Sequence, residues 1–112
     1  MTEDGHDEEE WRPADARLRA ALWEAERRLV SCEWAHAEVA CGWALAVAEG
    51  GDREVALGLR HLAAAGMRER DGRTESAARQ REHARRRLAP FLPEHESVDL
   101  GALLAALERE GS

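Results

Sequence analysis

From Leu18 onward, compact or apolar residues return in alternating steps of four and three: Leu18, Leu22, Ala25, Leu29, Cys32, His36, Val39, Trp43 and Ala46. Steps of that kind keep one face of a helix turned to the same side, so the stripe predicts a helix over about 13–49. A second stripe, Trp23, Val30, Trp34, Ala37, Cys41, Ala44 and Ala48, runs beside it. From about residue 30 the helix is therefore apolar around most of its circumference and needs more than one neighbour to cover it.

Gly50 and Gly51 end this helix, and Asp52 is placed to cap the next. The Asp71-Gly72 pair reads as a turn. Yet one register, Ala56, Arg60, Ala63, Met67, Arg70, Thr74, Ala77, Arg81, Ala84, Leu88, Phe91, passes through it without a change of phase. The pattern predicts a second helix over 52–89, with no more than a kink near 71–73. Pro90 and Pro93 stop it. A third, short helix over 98–110 carries Leu100, Leu103, Leu104 and Leu107 on one face, with Ser97 or Asp99 as its cap.

The resulting expectation is an all-α protein: a long antiparallel helical hairpin plus a short C-terminal helix, two copies pairing into a four-helix-type bundle. Two helices cannot bury the apolar tip alone. Trp34, Val39, Trp43, Leu59 and Leu62 are the residues expected in the core and dimer contact. At 112 residues the chain suffices for one domain. Residues 1–11 are expected to be a disordered acidic leader and 12–112 a single helical domain.

A net charge of −7 argues against general nucleic-acid binding. The charge is unevenly spread, with six acids in residues 3–10 and eight arginines in residues 68–87. The N-terminus has no signal-peptide pattern and the run Trp34 to Ala48 is too short and polar to cross a bilayer, so a cytoplasmic protein is expected. The chain has no Ile, Tyr, Asn or Lys, the composition expected of a GC-rich bacterial gene.

Three groups of residues carry chemistry. Glu33 and His36 stand three apart, the ExxH relation by which di-iron bundles hold metal, and His61 could join them from the second helix to bind a transition metal. A full site of that type needs a second ExxH, and none of His61, His83 or His95 has a Glu three residues earlier. The preferred reading of His36 is a core or interface residue. Cys32 and Cys41, about 13 Å apart along one helix, cannot bridge each other there, and both are expected to be buried small hydrophobes. The tryptophans read as packing anchors, Trp11 covering a helix end.

Arg79, Arg81, Arg85, Arg86 and Arg87 form the candidate surface for an acidic protein partner, or for a nucleotide or nucleic acid as a further alternative. Taken alone, the segment reads first as a solvated face paired with Glu24, Glu26 and Glu33 of the first helix or with the acidic leader. No nucleophile–base set, phosphate loop or paired CxxC is present. The chain is therefore expected to be a non-catalytic interaction or regulatory protein, without a cofactor, that self-associates through its apolar tip.

Overall fold

The computed structural model describes residues 13–110, so the acidic leader and the position of Trp11 lie outside the described residues. The chain is all-α with one small β hairpin. Its elements are α1 (Pro13–Val30), α2 (Trp34–Val47), α3 (Gly50–Arg70), α4 (Thr74–Leu88), a 3-10 turn (Ala89–Phe91), β1 (Glu94–His95), β2 (Val98–Asp99) and α5 (Leu100–Glu110). No described helix is long and apolar enough to cross a membrane.

Each of the two long helices expected from periodicity is instead divided into an antiparallel pair. At the end of α1 the Cys32 amide donates to the Leu29 carbonyl (3.0 Å) and the Glu33 amide to that of Arg28 (2.8 Å). Cys32 sits in the left-handed region at φ 59°. At the end of α3, Gly72 donates to Glu69 (3.0 Å) and Arg73 to Arg68 (2.8 Å), with Gly72 at φ 79°. Both are the same closure: a left-handed residue lets two amides fold back onto the last carbonyls and reverses the chain. The two turns lie 40 positions apart, and the next helices start alike, Ala37 donating to Glu33 and Ala77 to Arg73, both at 2.9 Å.

The molecule is thus two hairpins of one design, α1–α2 and α3–α4, joined through the contact of α2 with α3. At a spacing of 40, Leu22 matches Leu62, Ala25 matches Ala65, Ala37 matches Ala77 and Ala44 matches Ala84, and all eight are buried. α5 docks on α1 and reaches α4 with its last turns, where Glu108 accepts from Arg85 at 3.0 Å. Its Leu100, Leu103 and Leu107 are buried in the common core. Asp99 caps it, its Oδ1 accepting the Ala102 amide at 3.0 Å.

Chain reversal at Ser31–Glu33 also exchanges the two stripes. In α1 the first stripe is inside: Leu18, Leu22, Ala25 and Leu29 are buried. In α2 its continuation, His36, Val39, Trp43 and Ala46, is exposed, and Ala37, Ala40, Cys41, Ala44 and Ala48 face the core. Val39 and Trp43 are therefore surface residues, not core; Leu59 and Leu62 are buried, and Trp34 is half-buried against Gly66.

Candidate functional site

Because the hairpins share one design, the residues that line the outer groove of the first can be compared position by position with their equivalents in the second. In the first hairpin the groove is formed by Arg17, Ala20, Ala21, Glu24, Trp43, Ala46 and Val47. Trp43 is 60% exposed and Val39, one turn away, 52%. The corresponding positions of the second hairpin replace Ala21 by His61, Val39 by Arg79, Trp43 by His83, Ala46 by Arg86 and Val47 by Arg87.

In the second hairpin the His61 and His83 rings lie 5.2 Å apart, and His61 Nδ1 is 2.7 Å from Gln80 Oε1. On α2 this face is apolar where its equivalent on α4 is basic, whereas on the other helix Arg17 and Glu24 are matched by Leu57 and Ala64. An exposed tryptophan over alanines is the kind of surface that interfaces use, because the ring buries a large area at little entropic cost.

The arginines proposed for an acidic partner are mostly occupied. Arg81 pairs with Glu69 (3.3 Å), Arg85 with Glu82 (3.1 Å) and Glu108 (3.0 Å), Arg86 with Glu82 (3.2 Å) and Arg87 with Glu54 (2.8 Å). Hydrogen bonds from Arg85 and then Arg86 hold the Glu82 carboxyl below the usual carboxylate range. Arg79 is exposed and, among the described residues, makes no ion pair.

The residues considered for metal binding do not converge. Glu33 is not on a helix face: it precedes α2 with φ −94° and ψ 74°, and its carboxylate pairs with Arg28. Arg28 also bonds Glu24 at 2.6 Å, and Glu24 with Glu33 raises its pKa above the ordinary arginine value. Hydrogen bonds from Arg27 and Arg28 in turn lower the Glu24 carboxyl. His36 is exposed on α2, and His61 is held by Gln80. Among the described residues, these three side chains form no cluster close enough to share an ion. The ExxH relation held only for an unbroken helix.

The two thiols are unlike. Cys32 is exposed at the turn, beside a cavity of about 250 Å³ also lined by Trp34, Leu62, Gly66, Arg70, Arg81 and Leu107. Cys41 is fully buried, and burial pushes its thiol up to about 12. A thiol reagent should therefore label one cysteine per native chain rapidly and the second only on unfolding, as mass spectrometry can count. Since an unburied thiol ionises near 9.0, Cys41 contributes its full stability below that pH. The contribution declines between pH 9 and 12 by about 1.4 kcal/mol per unit, readable in denaturation midpoints.

The groove escaped detection in the sequence because it depends on which stripe faces outward. The one available signal was the spacing of 40 between matching residues, diluted by the abundance of alanine. Compared with protein-family models, with curated proteins and with solved structures, the chain has no match.

Proposed function

We propose that this protein is a cytoplasmic, non-catalytic helical interaction protein that associates with a second copy of itself through the outer face of its first hairpin. The observation that carries this reading is the contrast between equivalent faces: Trp43, Val39 and Ala46 stand exposed where the second hairpin has His83, Arg79 and Arg86. A solvated surface was available to this design, and the second hairpin has it. A twofold axis through the apolar patch would set each Trp43 on the Ala20–Ala21 floor of the other copy. The two α1–α2 pairs then make a four-helix contact, an arrangement that closes on itself. The basic face of the second hairpin, with Arg79 exposed, is proposed for an acidic protein partner.

Sedimentation velocity at micromolar concentration tests the self-association. The full chain should sediment as a dimer and the Trp43→Glu variant as a folded monomer. A wild-type chain that stays monomeric even near millimolar concentration overturns the reading.

A further inference from the structure

We infer that Asp52, His95 and Glu96 form a binding site for a zinc-class divalent cation that fastens the β hairpin to the start of α3. One ligand atom from each of these residues lies within 4.8 Å of the other two, and no other His, Cys, Asp or Glu trio among the described residues does so. Two elements 43 positions apart in the chain supply them, and His95 Nε2 already stands 2.6 Å from Asp52 Oδ1.

The backbone that carries these side chains is held independently of them. His95 pairs with Val98 across the hairpin, and Val98 is fully buried. The Phe91 ring meets His95 edge-on at 5.2 Å, and Trp23 Nε1 donates to the Glu96 carbonyl at 2.9 Å. A ligand set on a preformed scaffold pays less to organise itself around an ion. His95 and Asp52 are partly buried, whereas Glu96 is exposed, which leaves one side open for water to complete the coordination.

One imidazole nitrogen and two carboxylates suit zinc and its transition-metal neighbours. Calcium and magnesium prefer a shell of oxygens. Ligand atoms on a tetrahedral zinc stand about 3.4 Å apart, so His95 Nε2 and Asp52 Oδ1, now 2.6 Å apart, must open by about 0.8 Å to admit the ion. Two effects oppose binding: the positive end of α3 lies beside Asp52, and Arg19 is 3.9 Å from Glu96. Micromolar rather than nanomolar affinity follows. The ion takes the place of the His95–Asp52 hydrogen bond, with Nε2 and Oδ1 both turned to it.

The test is calorimetric titration of zinc into the full chain carrying Cys32→Ser, which removes the exposed thiol as a competing ligand, with circular dichroism to verify folding. One zinc per chain should bind and raise the thermal midpoint. His95→Gln, which can still hydrogen-bond Asp52, should weaken binding by about tenfold or more, and Glu96→Gln should do the same without touching the backbone bond from Trp23. Arg19→Gln should tighten it, since Glu96 loses its competing partner. No saturable binding below about 1 mM zinc overturns the site. Binding that survives both His95→Gln and Glu96→Gln unchanged also overturns it, by placing the ion elsewhere on the chain.

Discussion

Gly58→Leu should destabilise the protein by about 2 kcal/mol, and combining it with Leu88→Ala should cost clearly less than the sum of the two single losses. Gly58 is buried in α3, and a Cβ built on it falls 2.6 Å from Leu88 Cδ2 and 2.7 Å from Cγ. A leucine there has nowhere to go. Overpacking costs typically about 1–3 kcal/mol and sometimes more, against a gain of about 1 kcal/mol from replacing a helical glycine. Leu88→Ala alone should cost about 2–5 kcal/mol, because Leu88 is fully buried.

The coupling is expected because the first hairpin already has the exchanged pair. Leu18 stands where the second hairpin has Gly58, and Ala48 where it has Leu88, all within the buried core. Large and small have traded places between the two helices. Urea unfolding of the two single variants and the double one should reveal a favourable coupling of about 2 kcal/mol. Strictly additive losses would show that positions 58 and 88 do not compete for one space.

The second large effect concerns α5. Leu103→Asp should cost more than about 3 kcal/mol, since it removes a buried leucine and puts a carboxylate in its place without a partner. That is a large fraction of the roughly 5–15 kcal/mol that holds a domain of this kind together. The damage should begin locally. α5 touches the rest through its Leu100, Leu103 and Leu107 face, the hairpin before it and ion pairs such as Arg85 with Glu108. Hydrogen exchange should therefore show α5 losing protection before α2 and α3. Ala105→Asp, on the exposed side of the same helix, should change stability by no more than about 0.5 kcal/mol. Equal protection of α5 in Leu103→Asp and wild type would mean that it is not held by this face.

How far each element could be read from the sequence depends on where its cause lies. α5 was legible, since an apolar face, a capping aspartate and two preceding prolines are all local. The break at Asp71–Arg73 had a local signal in Asp71-Gly72, which the uninterrupted register outweighed. The break at Ser31–Glu33 had none, because its left-handed position holds Cys32, where glycine would have marked it. Both turns use three non-helical residues and resume in a phase that a count of threes and fours accepts. The helical Glu33–His36 spacing is lost for the same reason: once the chain reverses, Glu33 belongs to a turn and pairs with Arg28. Asp52, His95 and Glu96 could not have been assembled at all, as nothing local relates a helix start to a hairpin 43 positions later.

The sequence by itself determined that this chain is helical, that α5 would bury its leucines, and that residues 30–48 would be apolar on nearly every side. Only the tertiary structure decided which of those sides faces inward. Periodicity belongs to one helix and says how many faces are apolar, whereas burial belongs to pairs of helices and follows from where the chain turns back. With the reversal at Cys32, alanines close the α2 interface and Trp43 is left on the surface.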